Sequence, residues 1–143
     1  MINKKIISRI DKQNMFSVLY DFPVQVCNAV DIAGKVKTNK VNIKNIKNII
    51  INGLGGSAVG GDLLRSFVAD EISVPVYVNR NYTLPEFAGK DTLAIISSYS
   101  GNTEETISAF KDALERKCRI ICISSGGMVE KLAKKHKTLL VKI

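Results

Sequence analysis

Three hydroxyl side chains, Ser98, Ser100 and Thr103, stand close together in the run SSYSGNTEET, just ahead of a segment with helical periodicity. A phosphate needs several donors converging within hydrogen-bond reach. The pattern SxSxxT on a turn that enters a helix offers side-chain hydroxyls, backbone N–H groups and the positive end of the helix dipole together. Gly101 lets such a turn close around an anion. The same residues also suit a simple helix cap, because Asn102 followed three residues on by Glu105 has the spacing of a capping box. A cap uses one hydroxyl, however, and three are present.

A second loop has related chemistry. Five of the ten glycines fall in GLGGSAVGG, from Gly53 to Gly61. Glycines such as Gly55 and Gly56 leave no Cβ in the way, so backbone N–H groups can approach a ligand at a helix N-terminus. Ser57 is suited either to cap that helix or to donate to a sugar oxygen. Two other readings are open. A tight strand-to-helix turn wants glycine in any case, and Gly53, Gly55 and Ala58 satisfy the dinucleotide pattern GxGxxA. That pattern also asks for an acidic residue at the end of the next strand, where this chain has Val78, Asn79 and Arg80. Arginine could accept a 2′-phosphate, so NADP stays open on the first loop alone.

Other chemistries find less support. There is no GxxxxGK[ST] for a nucleoside triphosphate. The single histidine, His136, ends a lysine-rich segment where a polar or positive side chain suits a helix C-terminus. Three cysteines, Cys27, Cys118 and Cys122, lack paired spacing, so neither a disulfide framework nor a metal site is expected; reduced, buried thiols in a cytoplasmic protein are.

The elements that must position the two loops follow from hydrophobic patterning. Short β-rich runs at Lys47 to Asn52, Val74 to Val78, Thr92 to Ser97, Arg119 to Ser124 and Thr138 to Ile143 alternate with helical segments at about Ser57 to Asp70, Asn102 to Lys117 and Met128 to His136. That alternation is the signature of parallel βαβ units. The near-continuous apolar runs IIIN, LAIIS and IICIS suit central strands covered on both faces, and Pro75 points to an edge strand. The fold class is α/β, a three-layer α-β-α sandwich around a five-stranded parallel sheet. Such sheets bind ligands beyond the carboxyl ends of the strands, where strand order reverses. Both loops belong there, after the first and third strands.

Ahead of this lies a helical lead-in, residues 1–40, with two helices, the second opening at Asp21 and Pro23 and running to Gly34. It is expected to pack on a single domain formed by residues 41–143. The apolar run after Lys4 and Lys5 is too short for a signal-peptide core. With 143 residues, 45% apolar and 24% charged, the chain reads as one globular domain, and no segment approaches the roughly 20 apolar residues of a membrane helix. No membrane association is expected. The net charge of +8 comes mostly from scattered lysines without interleaved aromatics, a solvated face rather than a nucleic-acid patch.

GLGGSAVGGDLL and SYSGNTEET, in this order, resemble the two ligand loops of the sugar isomerase (SIS) domain. The match is closer to the N-terminal domain of the bifunctional phosphoglucose/phosphomannose isomerases, whose NRNYTLP and YDFPVQVCNAV counterparts also look similar. The resemblance implies the strand order 2-1-3-4-5 and a phosphorylated hexose as ligand. Ser98, Ser100 and Thr103 would bind its phosphate, and Gly55, Gly56 and Ser57 its sugar. Glu105 matches a glutamate that positions substrate, although it equally suits the N-terminal turn of a helix.

The implied activity is aldose–ketose isomerisation among glucose 6-phosphate, mannose 6-phosphate and fructose 6-phosphate, in carbohydrate metabolism, without cofactor or metal. The resemblance also implies a cytoplasmic homodimer or a pairing with a second SIS domain. The family's proton-transfer glutamate, ring-opening histidine and lysine belong to that second domain. An arginine follows the fifth strand, on which this sequence stops. The rival expectation is a non-catalytic phosphosugar-binding or sensor domain.

Overall fold

A computed structural model describes residues 4–143, so Met1 to Asn3 of the expected lead-in lie outside the described residues. The chain divides into two compact units, Met1–Val36 and Lys37–Ile143.

Among the described residues the first unit holds three helices where two were expected: α1 (Lys4–Ile10), α2 (Met15–Tyr20) and α3 (Phe22–Gly34). The Asp11 side chain sets the start of α2, its two carboxylate oxygens accepting from the Met15 and Phe16 amides at 2.8 and 2.7 Å. Asn14 takes the left-handed conformation immediately before it. Pro23 sits in the first turn of α3, where its missing N–H costs no helical bond. Asp21 precedes α3 without a side-chain capping bond. No residue of α2 or α3 is buried, and Leu19, Tyr20, Phe22 and Val30 are each more than half exposed.

The second unit is the expected sheet. Its strands are β1 (Asn48–Asn52), β2 (Val76–Asn79), β3 (Thr92–Ser97), β4 (Arg119–Ser124) and β5 (Leu139–Lys142), all parallel, in the order β2-β1-β3-β4-β5. Three helices link them: α4 (Gly56–Phe67), α5 (Glu104–Glu115) and α6 (Gly127–His136). Pro75 immediately precedes edge strand β2, and its carbonyl accepts from the Ile49 amide at 2.9 Å. A proline there loses no ladder bond that the sheet needs.

Alternation along the strands sorts the two faces. Ile50, Ala94, Ile96, Ile120 and Cys122 pack against Ala109, Phe110 and Ala113 of α5 and Val129 and Ala133 of α6. The alanines let both helices come close to the sheet. Ile51 and Val78 point the other way, onto α4, where a Cβ on Gly61 would stand 3.0 Å from Ile51 Cγ2. Helix α4 therefore lies on one face and α5 with α6 on the other, which completes the three layers.

Candidate functional site

Strands β1 and β3 are neighbours whose chains leave toward opposite faces, so the loops that follow them open a crevice at the carboxyl edge of the sheet. A cavity of about 680 Å³ lies there. Gly56, Ser57, Ser98, Ser100 and Thr103 all line it, which brings five of the seven candidate residues to one place. Gly55 and Glu105 stand outside the lining.

In the first loop Gly55 has φ +53° and ψ −128°, a region open to glycine and costly for any residue with a Cβ. It aims the chain into α4. Ser57 is not the helix cap: it lies inside the first turn, and its amide donates to the Leu54 carbonyl at 3.1 Å. Its hydroxyl is thus left to the cavity.

In the second loop Ser98 is almost fully buried and fixed by its amide, which donates to the Ile123 carbonyl at 3.0 Å. Its hydroxyl accepts from the Gly101 amide at 3.1 Å and stands 3.0 Å from the Thr103 hydroxyl. Ser100 is exposed, its hydroxyl accepting from the Asn102 amide at 3.3 Å. Gly101, at φ +68°, packs so closely on the β4–α6 loop that a Cβ would lie 1.9 Å from the Gly126 carbonyl oxygen. The alternative of a capping box at Asn102 is not met; its side-chain oxygen accepts from the Met128 amide at 3.0 Å and ties the loop to α6.

Helix α5 begins after Thr103 with no side-chain cap. Its first amides have no preceding turn to bond and remain available to an anion, as the helix dipole favours. Among the described residues no Lys or Arg side chain lines the cavity. Anion binding there would rest on hydroxyls, amides and the dipole.

The ionisable groups nearby are otherwise engaged. Asp62 pairs with Arg80 and, at 3.6 Å, with Arg65. Arg80, which a dinucleotide 2′-phosphate would need, is held by that carboxylate. His136 ends α6 at the edge where the strands begin, 5.9 Å from the Phe110 ring, well away from the crevice. Tyr99 is the one ionisable side chain on the cavity wall among the described residues. The negative charge of Glu105, then desolvation and Glu104, push the Tyr82 pKa above the ordinary tyrosine value. No group of three or more metal-ligating side chains occurs among the described residues.

The Caldicellulosiruptor bescii protein named bifunctional phosphoglucose/phosphomannose isomerase is 47% identical over 121 residues, which cover 85% of this chain and 35% of that protein. The chain is an SIS-like domain. An Aquifex aeolicus protein of the same name is 39% identical over 91 residues, 63% of this chain and 28% of its own length. The chain thus spans about a third of the length of the curated relatives it matches. A candidate phosphosugar isomerase of Clostridium difficile 630 shares the fold, with a TM-score of 0.64 at 21% identity over 77% of this chain and 33% of that one. No protein-family model matches the chain.

The SIS-like domain carries features that residue patterns did not reveal. One side of the cavity is apolar, formed by Ile51, Leu54, Leu64, Ile95 and Ile123. Two fully buried asparagines, Asn52 and Asn79, sit in register at the ends of β1 and β2. The Asn52 side-chain amide donates to the Asn81 carbonyl at 3.2 Å, and that of Asn79 to Asn81 and Thr83 at 3.3 and 3.0 Å. The pair of Asn residues closing two adjacent strands was the available signal.

The expectation of buried thiols needs correcting at Cys27, which is exposed; Cys118 is half-buried and Cys122 buried. No helix among the described residues is long and apolar enough to cross a membrane.

Proposed function

We propose that this SIS-like domain grips the phosphate of a hexose phosphate for an aldose–ketose isomerase acting on glucose 6-phosphate, mannose 6-phosphate and fructose 6-phosphate. The observation that carries the reading is the meeting of two loops at one cavity, Gly56 and Ser57 from one side and Ser98, Ser100 and Thr103 from the other. The names of the 47% and 39% identical relatives support the substrate class.

On this reading Ser98, Thr103, Ser100 and the first amides of α5 hold the phosphate, while Gly55, Gly56 and Ser57 shape and contact the sugar. A remote phosphate grip supplies binding energy and orients C1 and C2 for proton transfer through an enediol. That transfer needs a base and an acid near neutral pK. No Asp, Glu, His or Lys side chain lines the cavity among the described residues. The proton-moving groups therefore come from outside this domain, through a second SIS domain or a second copy in a cytoplasmic homodimer. A non-catalytic phosphosugar-binding role is the second reading, favoured by that same lack.

The test is an NMR titration of the isotope-labelled chain with glucose 6-phosphate. Shifts concentrated at residues 53–57 and 98–105 are expected. Shifts elsewhere, or none at millimolar ligand, would overturn the assignment.

A further inference from the structure

Helix α4 turns its small residues inward and its large ones outward. Ala58 and Gly61 are buried against the sheet. Val59, Leu63 and Phe67 recur every fourth residue on the opposite side and are 54%, 68% and 74% exposed, with Leu64 half-exposed at the edge of the stripe. A helix that is apolar on both sides is one that folded proteins bury. The exposed parts of these four side chains amount to roughly 450 Å², the size of the largest apolar patches on monomers, which are often functional.

Beside the large residues lie two glycines at the same spacing, Gly56 and Gly60, where a Cβ would meet no described atom within 4 Å. The stripe therefore alternates notch and projection. An antiparallel second α4, turned about an axis between Gly61 and Asp62, sets Leu63 of each copy opposite Gly60 of the other. The same turn sets Phe67 opposite Gly56 and Leu64 opposite Val59. One twofold operation satisfies all three pairs, as an isologous interface requires, and the side chains enter the gaps as ridges enter grooves. Charge agrees with shape. The chain carries a net +8, yet no charged residue interrupts the stripe, and the neighbouring Asp62 is already paired with Arg80 and Arg65. Two copies can meet there without bringing lysines together.

We propose that the outward stripe of α4 is the contact through which two copies of this chain form a twofold dimer. Gly56, Gly60 and Leu64 also line the cavity, so Phe67 of the second copy comes to lie at the cavity mouth. The second copy invoked above as a source of groups for the cavity thereby acquires a docking face. The contact stands on the shape of α4 alone, so it can fail while the phosphate-site reading holds, and the reverse. About 900 Å² of apolar surface for the pair is less than a standard interface buries, which makes the dimer a weak one, with a dissociation constant of roughly 1–100 µM.

The experiment is sedimentation equilibrium of the whole chain from about 5 to about 500 µM, for the wild type, Leu63→Glu and Gly60→Leu. Both positions face away from the sheet, and melting curves confirm that each variant is folded. The wild-type mass is expected to rise with concentration from that of the monomer toward twice that value. Leu63→Glu puts a charge at the centre of the contact and is expected to raise the dissociation constant about thirtyfold or more, the loss of a central anchor. Gly60→Leu adds apolar surface but fills the notch, and is expected to weaken the dimer to a similar degree. Indiscriminate apolar association would instead be strengthened by Gly60→Leu, and that result overturns the proposal. A wild type that stays monomeric across the whole range overturns it, as does a dimer that Leu63→Glu leaves unchanged, since that dimer uses another surface.

Discussion

The Ser98 and Thr103 hydroxyls stand 3.0 Å apart across a turn whose Gly101 amide bonds Ser98 as well. The two oxygens come from different elements, the residue after β3 and the residue before α5, and the turn between them is locked to the β4–α6 loop. The site is thus set in advance of any ligand.

That locking depends on residue 101 having no side chain. With φ at +68° and the Gly126 carbonyl where a Cβ would go, Gly101→Ala must move one loop or the other. We expect a loss of about 2–4 kcal/mol in urea unfolding, from left-handed strain plus overpacking. Loss of phosphate binding should accompany it, because the Ser98–Thr103 spacing goes with the turn.

Thiol labelling separates the three cysteines. Burial pushes the Cys118 and Cys122 thiols up to about 11, so little reactive thiolate exists at pH 8. Cys27 is exposed. One equivalent of Ellman's reagent should react rapidly with the native chain, and two more only after unfolding.

Stability should fall on the acid side through Glu130. Hydrogen bonds from Lys134 and Lys142 hold its carboxyl below the ordinary glutamate value. A lowered folded-state pKa means that the folded chain binds this proton more weakly than the unfolded one. The contribution is therefore present above the unfolded value of about 4.3 and disappears as pH falls through the folded value. In urea midpoints measured from pH 6 down to pH 3, the advantage of wild type over Glu130→Gln should shrink toward zero at the acid end.

The order of elements and the location of the crevice were legible because apolar runs in parallel strands and glycine-rich turns are local signals. Ser98, Thr103 and Ser57 could be named for the same reason, since loop chemistry sits in contiguous residues. The capping alternatives at Asn102 and Ser57 could be closed only by the structure, because tertiary contacts decide which group a short polar side chain meets: Asn102 meets Met128 across the fold, and α4 starts one residue before Ser57. The pairing of Asn52 with Asn79 escaped for a related reason. It joins residues 27 positions apart, and no periodicity reports such a pairing.

The most direct test of the phosphate grip is calorimetric titration of glucose 6-phosphate into wild type and into Ser98→Ala with Thr103→Ala, with glucose as the control. The grip predicts binding of glucose 6-phosphate by the wild type and none of glucose. It further predicts a loss of about 2–4 kcal/mol or more in the double variant, from two charge-assisted hydrogen bonds, with far-UV circular dichroism unchanged. Equal affinity of the folded double variant and the wild type for glucose 6-phosphate would contradict it.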